Sequence, residues 1–312
     1  MKIPRPNTPA ARFAKAQCDE KREYQSINQN AVIIDVHTHI FPPEVIANRD
    51  AYLAADPTFA TLYASPRARL ATAEDLLASM DAAAIDVSVA LGFAWRDPAT
   101  CRLHNDYLLE SAVRGNGRIV PFCSLPLAAG PDAIEAEARR CAEAGARGFG
   151  ELRPGNLSFG IEGPGGALLA GLASSFNAVL LFHASEPVGH SYPGKDGLPI
   201  DELYAFIQTH PDTKVIGAHW GGGLPFYALM PEVRLTLKDT HFDTAGTSLL
   251  YAPDIYETAV RLVGAESILF GSDFPLLSQA RSRARIGDSG LDAADVAQVL
   301  GENARRLLNL DD

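Results

Sequence analysis

The sequence is poor in positive charge, and this limits the partners that the protein can bind. Its 312 residues contain 27 Lys and Arg against 38 Asp and Glu, which gives a formal net charge of -11 at pH 7. Nucleic acids and anionic membranes are bound by basic surfaces, because such surfaces neutralise phosphate charge. The composition therefore predicts no nucleic-acid or membrane partner and leaves a small-molecule substrate as the expectation.

The sequence also lacks closely spaced pairs of cysteines and a long apolar run near its N-terminus. The four cysteines, at 18, 101, 123 and 141, have no Cys-x-x-Cys spacing, so they predict buried apolar residues in a reducing, cytoplasmic setting. Residues 1–30 are rich in Pro, Arg, Gln and Asn and contain no signal core or membrane span. We interpret 1–30 as an N-terminal extension and 31–312 as a single domain.

No Gly-x-Gly-x-x-Gly follows the first apolar run, which disfavours a dinucleotide-binding sheet. From residue 31 onward, short apolar runs alternate with longer amphipathic ones. The pattern predicts strands near 31–38, 87–93, 118–124, 147–152, 178–184, 214–219, 240–245 and 267–272. It predicts helices near 72–84, 101–115, 131–144, 165–177, 198–209, 225–237, 253–264 and 291–300. Eight such right-handed βα units close into an α/β fold of the (β/α)8 TIM barrel type.

Residues of metal-ligand type stand at the C-terminal ends of four predicted strands. His37 and His39 lie two apart, so their side chains point the same way and can bind one ion. His183, His219 and Asp273 end three later strands. In such a barrel these ends meet on the active-site face. Imidazole and carboxylate suit Zn2+ and similar ions, so the sequence predicts a metal-dependent enzyme.

The segments that carry these residues resemble those of the amidohydrolase superfamily, and within it those of the branch of aminocarboxymuconate-semialdehyde decarboxylase-like enzymes. The resemblance covers nearly the whole chain, from Val32 to Leu310. The matching segments are Asp35-Val-His-Thr-His-Ile-Phe-Pro, Phe182-His-Ala, Gly217-Ala-His-Trp-Gly-Gly-Gly, Phe270-Gly-Ser-Asp-Phe-Pro and Glu302-Asn-Ala-Arg-Arg-Leu-Leu.

The resemblance implies a set of roles for the candidate residues. His37, His39, His183 and Asp273 would hold a divalent ion, for which Zn2+ is favoured and Mn2+ is the alternative. His219 would be either an acid/base beside one ion or a ligand of a second. One ion per chain is the expectation, with two as the alternative, and family habit favours a homodimer or a larger homo-oligomer.

Glu151 decides between one and two ions. It ends the fourth predicted strand, where some superfamily members place a carboxylate or a carboxylated lysine that bridges two metals. The alternative is a carboxylate that pairs with Arg153 or Arg147, or that hydrogen-bonds a histidine ligand. Asp35 lies two residues before His37, and alternation places it on the same face as a buried hydrogen-bonding partner.

Loops after the first, second and fifth strands are expected to select the substrate, because loops on this face form the pocket walls. The first, residues 41–71, is long. Six side chains in these loops are candidate substrate contacts, namely Arg67, Trp95, Arg96, His190, Tyr192 and Lys195.

Three functions remain compatible with these residues. The main expectation is hydrolysis of an amide, ester or lactone in a small cyclic or aromatic acid by metal-activated water. Asp273 would accept the proton of that water and His219 would polarise the carbonyl oxygen. The alternative is non-oxidative decarboxylation of an aromatic or enoic carboxylate, in which Asp273 or His219 protonates the departing carbon. The third is an inert barrel with a structural ion. Glu151 favours hydrolysis, and the long first loop favours decarboxylation.

Overall fold

The computed structural model describes residues 32–310, and within them all eight predicted strands form one parallel sheet. Strands that are consecutive in the sequence are neighbours in the sheet. The predicted extension, residues 1–30, lies outside the described residues. The strands are β1 Ile34–His39, β2 Val87–Leu91, β3 Ile119–Cys123, β4 Gly148–Leu152, β5 Val179–Phe182, β6 Val215–Gly217, β7 His241–Asp243 and β8 Ile268–Leu269.

The last strand returns to the first and closes the sheet. The backbone N–H of Val36 donates to the carbonyl of Phe270 at 2.8 Å, and that of His39 donates to the carbonyl of Phe274 at 2.7 Å. Because every strand then has two neighbours, the sheet is a barrel and not an open layer. The predicted (β/α)8 TIM barrel is confirmed.

Helices follow the strands and cover the outside of the barrel. Within residues 32–310, none of them is both long and apolar enough to cross a membrane. The helices are α1 Pro43–Ala47, α2 Arg49–Ala55, α3 Pro57–Tyr63, α4 Ala73–Ala83, α5 Pro98–Arg114, α6 Pro131–Glu143, α7 Pro164–Phe176, α8 Ile200–Thr209, α9 Pro231–Thr236, α10 Thr247–Leu250, α11 Ile255–Val263, α12 Gln279–Gly287, α13 Ala293–Ala297 and α14 Asn303–Leu308.

Six of these helices lie where the sequence predicted none, and five of them, α1 to α3, α10 and α14, have only four to seven residues. Helices α1 to α3 fall inside the predicted loop 41–71, and each has only five to seven residues, too few to show a helical apolar period. Helix α12 is strongly polar and buries only Gln279 and Ile286, so it lacks an apolar stripe. Short length and high polarity therefore explain why these helices were missed.

Two predicted helices are divided. Residues 225–237 form a 3-10 turn, Leu224–Leu229, followed by α9, because Pro231 follows the extended residue Met230 and starts a new helix. Residues 291–300 form α13 and the start of a π turn, Gln298–Glu302, that leads into α14. The divided region after β6 lies on the same face as the candidate ligands.

The interior of the barrel is apolar along most of its height. Inward-facing residues of six strands form one buried cluster with Ala304, Leu307 and Leu308 of α14, which lies at the N-terminal ends of the strands. A larger cluster fills the space between the sheet and the outer helices. Because both faces of the strands are buried, each strand appears in the sequence as a nearly continuous apolar run. The polar candidate residues are recognisable because they lie where these runs end. The inward-facing strand residues of the cluster are Ile34, Val36, Val89, Leu91, Val120, Phe122, Val179, Leu181, Ile216, Ala218 and Leu269.

Candidate metal centre

The predicted ligands converge on the C-terminal ends of the strands. His37 and His39 project from β1 with their Nε2 atoms 3.2 Å apart. The Asp273 Oδ1 atom lies 3.8 Å from the first of these nitrogens and 3.7 Å from the second. The ligand atoms of these three residues all lie within 4.8 Å of one another, as a shared ion requires. They form the first ligand group.

Glu151 lies at the centre of the imidazoles. Its Oε1 atom is 2.7 Å from Nδ1 of His183, 3.3 Å from Nε2 of His219 and 3.7 Å from Nε2 of His37. With His37 and His219 it forms a second group whose ligand atoms lie within 4.8 Å of one another. Both predicted roles for Glu151 stay open, because it contacts His183, which belongs to neither of these two ligand groups, and is itself a member of the second group.

Asp243, which the sequence analysis did not single out, supports two of these histidines. This carboxylate is fully buried at the end of β7. It lies 2.8 Å from Nδ1 of His37, and it accepts from the backbone N–H of His219 at 2.9 Å. A proton on Nδ1 of His37 turns the Nε2 lone pair toward the ligand group. The available signal was its position, since Asp243 lies in the C-terminal half of the predicted strand 240–245 and ends the observed β7.

Arg153 brings a positive charge to the same cluster. Its side chain is buried, with Nη2 3.0 Å from Nδ1 of His183 and Nε 3.5 Å from Oε2 of Glu151. Pairing with Glu151 was the predicted alternative, and the contact with His183 was not foreseen. The guanidinium therefore adjoins both the central carboxylate and the β5 histidine.

The potential at the cluster suits a cation. Burial lowers the pKa of His37, but the nearby carboxylates of Asp243, Glu151 and Asp273 raise it to about 10. Burial raises the pKa of Glu151, but His183 and Arg153 hold it well below its usual value. Ionised carboxylates beside imidazole nitrogens form a donor set that fits a divalent metal ion.

The backbone is unusual at two of the candidate residues. His219 and Asp273 have φ angles of 54° and 64°, in the left-handed region that residues other than glycine seldom adopt. Such conformations are costly and often occur at functional sites. After His219, Gly222 and Gly223 also have positive φ, and their N–H groups donate to carbonyls within the turn. The glycine run thus serves as a tight turn.

Asp35 is buried and hydrogen-bonded as predicted, but it does not share a face with His37. The pairing of β1 with β2 shifts register between Asp35 and Thr38. Asp35 accepts from the backbone N–H of Ser272 at 2.9 Å and from Nε2 of Gln279, on the outer helix α12, at 2.8 Å. Burial raises its pKa to about 6. The irregularity in β1 is what turns His37 toward the cluster.

Three of the candidate substrate contacts lie in the β1 and β2 loops. Arg67 is exposed. Trp95 is buried in an aromatic cluster, where its Nε1–H donates to Nδ1 of His104 at 3.0 Å. Arg96 is exposed and donates to the carbonyl of Asn156 at 2.9 Å. Direct substrate contact by these residues stays a prediction.

The other three candidates lie in the loop after β5. Lys195 Nζ donates to the carbonyls of Val188 and His190, at 2.6 and 2.8 Å. The Tyr192 hydroxyl donates to Glu186 at 3.0 Å. The side chain of His190 is exposed and packs near the ring of Tyr192, with the ring centroids 5.5 Å apart. These contacts hold the loop together, and substrate binding by its residues also stays a prediction.

Solved structures share the fold of this chain. The 5-carboxyvanillate decarboxylase of Novosphingobium aromaticivorans, whose structure contains manganese and a nitrobenzoic acid, superposes with a TM-score of 0.76 at 15% identity. The match covers 90% of this chain and 97% of that one. A 2,6-dihydroxybenzoate decarboxylase in complex with 2,6-dihydroxybenzoate superposes with a TM-score of 0.67 at 22% identity, over 91% of this chain and all of that one.

A curated relative corrects the main functional expectation. The gamma-resorcylate decarboxylase of Rhizobium radiobacter is 24% identical over 252 residues, which are 67% of this chain and 76% of the relative. A second gamma-resorcylate decarboxylase, from another Rhizobium, matches equally well. The expectation of a hydrolase is therefore wrong, and these relatives support the decarboxylase alternative.

A family model covers almost the entire barrel. The model described as Amidohydrolase matches residues 34–310, from the first residue of β1 to the end of the described chain. The matched range contains all candidate ligands together with Asp243 and Arg153. The chain belongs to the amidohydrolase family.

Proposed function

We propose that the protein is a metal-dependent non-oxidative decarboxylase of a small aromatic carboxylate. The observation that carries this proposal is the convergence of His37, His39, His183, His219 and Asp273 on one face of the barrel, around Glu151. The curated relatives, which are gamma-resorcylate decarboxylases, support the choice of reaction. An enoic carboxylate remains within the same chemistry.

One divalent ion per chain would be held by His37, His39, His183 and Asp273. When bound, it supplies positive charge that attracts the substrate carboxylate and a neighbouring oxygen. Imidazole nitrogen and carboxylate oxygen accept both Zn2+ and Mn2+. Elemental analysis of protein purified without added metal distinguishes these two ions, and a value of two ions per chain would place Glu151 among the ligands.

The reaction needs one proton and releases CO2. The bond between the ring and the carboxyl carbon breaks, its electron pair stays on the ring carbon, and a proton takes the place of CO2 there. Asp273 and His219 are the two side chains positioned to deliver this proton. The Asp273 side chain is 14% exposed and the His219 side chain 9%, so each borders the cluster from the accessible side.

Arg153 adds a fixed positive charge next to the reacting group. A buried guanidinium binds carboxylate or phenolate oxygens in a planar geometry, and it does so more strongly where water is excluded. Its side chain is 7% exposed beside Glu151 and His183. We assign to it the binding of an anionic oxygen of the substrate.

Product analysis in D2O tests the proposed reaction. Metal-loaded protein is incubated with a panel of hydroxybenzoates that includes 2,6-dihydroxybenzoate. The expected result is release of CO2 with one deuterium at the carbon that carried the carboxyl group. The His183→Ala protein is the matched control and should release none. A metal-loaded protein that releases no CO2 from any aromatic or enoic carboxylate would contradict the proposal.

We also propose that residues 31–312 form the catalytic domain and that residues 1–30 are an extension to it. We propose further that the chain forms a homodimer or larger assembly and is located in a reducing cytoplasm. The closed barrel within residues 32–310 supports the domain boundary, and the buried free thiols at 101, 123 and 141 are consistent with a reducing compartment. Deleting residues 1–30 should leave CO2 release per folded chain unchanged. Light scattering of both proteins measures the assembly, and loss of activity in a folded deletion variant would contradict the domain boundary.

A further inference from the structure

The loop that follows His183 returns to the same residue. We name residues 185–198 the β5 strap. At its far end, Leu198 donates its backbone N–H to the carbonyl of His183 at 2.8 Å, and it forms a parallel bridge with Ala184. Both ends of the strap are therefore attached to the backbone around one candidate ligand.

The middle of the strap contacts the imidazole itself. The carbonyl oxygen of Gly194 lies 2.8 Å from Nε2 of His183, and Oγ of Ser185 lies 3.2 Å from the same nitrogen. A carbonyl oxygen only accepts hydrogen bonds, so a proton on Nε2 makes this contact a hydrogen bond. The Nδ1 atom faces the opposite way, 2.7 Å from Oε1 of Glu151 and 3.0 Å from Nη2 of Arg153, whose N–H can donate to the Nδ1 lone pair of that tautomer.

Gly197 brings the strap against the face of the same ring. A Cβ atom at this position would lie 2.5 Å from Cδ2 of His183 and 2.8 Å from Oγ of Ser185. The φ angle of Gly197 is not in the left-handed region, so its backbone does not require glycine. Close approach to the imidazole is what excludes a side chain here.

Polar contacts keep the strap in this shape. Lys195 bonds two carbonyls within it, and Tyr192 bonds Glu186. Outside the strap, Nδ2 of Asn156 donates to Asp196 at 2.6 Å. Two of the residues that make these bonds are next to Gly194 and Gly197 in the sequence. The bonds therefore hold the two glycines against the His183 ring.

We propose that the β5 strap positions His183 for metal binding, with the Gly194 carbonyl retaining the proton on Nε2 so that Nδ1 is presented to the ion. This role rests on the proposed ion site but not on the proposed reaction. A ligand histidine whose other nitrogen donates to a fixed acceptor has a defined tautomer and ring orientation. Loss of such support commonly weakens metal binding by about 10- to 100-fold.

A single methyl group tests the contact. Mn2+ and Zn2+ affinities of the metal-free protein are measured by chelator competition for wild type and for Gly197→Ala. We expect binding to weaken by about 10- to 100-fold in the variant. Gly171→Ala is the matched control, because Gly171 is exposed on α7 with open space around its Cα, and it should bind as wild type does. Binding by Gly197→Ala within about twofold of wild type would overturn the proposal.

The tautomer can also be observed without any variant of the strap. Nitrogen-15 spectra of histidine-labelled wild-type protein, assigned by comparison with His183→Gln, report which ring nitrogen carries the proton. Nε2 should be protonated in the metal-free protein and remain protonated with Zn2+ bound. An unprotonated Nε2 would overturn the proposal even if Gly197→Ala failed to fold. A wild-type protein that binds neither ion would instead overturn the ion site, and with it the role of the strap in metal binding.

Discussion

The interior of the barrel consists of two layers with opposite chemistry. The lower layer is the apolar cluster that includes Val89 and Leu181, both fully buried. The upper layer, at the C-terminal ends of the same strands, buries histidines and carboxylates together. Burying apolar side chains stabilises the fold, whereas burying ionisable groups costs free energy unless they are paired or bind an ion. Within the barrel interior, the lower layer therefore stabilises the fold, whereas the upper layer contains the ionisable groups that the proposed reaction requires.

Removing a candidate ligand from the upper layer should have the largest effect. Asp273→Asn and His183→Ala are each expected to lower turnover by at least about a thousandfold, or ~4 kcal/mol, because the ion loses a ligand. Circular dichroism and melting should show a retained fold. Asp288→Asn changes an exposed carboxylate in the same way and serves as the control. Wild-type turnover in either ligand variant would contradict the division between the layers.

Truncating a side chain in the lower layer should lower stability rather than turnover. Val89→Ala truncates a fully buried side chain of β2, which carries no candidate ligand, and should lower the free energy of unfolding by about 1–3 kcal/mol. Turnover per folded molecule should change little. Leu235→Ala, at a position 70% exposed, should change stability by less than about 0.5 kcal/mol. Denaturant titration measures the free energy of unfolding of both variants. A large fall in the turnover of the fully folded lower-layer variant would contradict the separation between the two layers.

The two ends of β7 allow the same substitution, Asp to Asn, to be compared at a buried position beside the candidate ligands and at an exposed position. Asp243→Asn weakens the acceptor for His37 and for the backbone of His219, and should reduce metal affinity by about 10- to 100-fold. Asp239→Asn, just before β7 and 72% exposed, should have no measurable effect. Equal affinities for the two variants would remove Asp243 from the supporting residues.

The smallest expected effect concerns a histidine far from the cluster. Burial lowers the pKa of His241, at the start of β7, to about 4, while Asp239 raises it and Arg306 lowers it further. Because the folded pKa lies below the unfolded value, the unfolded chain binds the proton first. The stabilisation due to the neutral ring is complete well above pH 6.5 and is lost as the pH falls toward 4; the loss reaches on the order of 1–2 kcal/mol between pH 5.5 and 5. Melting of wild type and His241→Asn from pH 8 to 5 should converge at the acidic end, and parallel curves would contradict this assignment.

The sequence determined by itself the order of the eight strands and the face on which the candidate ligands lie. Apolar periodicity is a local property, and the C-terminal ends of parallel strands necessarily meet on one face. His37 and His39 were identifiable for the same reason, since their spacing of two matches the alternation of a strand. Even there, only the structure revealed the register shift that turns His37 inward.

Only the tertiary structure decided which residues contact the candidate ligands. Asp243 is separated from His37 by 206 residues, and Gly194 reaches the His183 ring through the return of a loop. Neither contact has a period or a spacing in the sequence, because it depends on how the strands close into a barrel and how a loop folds back. Side-chain alternation and the order of the strands are therefore readable from the chain, whereas the hydrogen-bond partners of its histidines depend on the closed barrel.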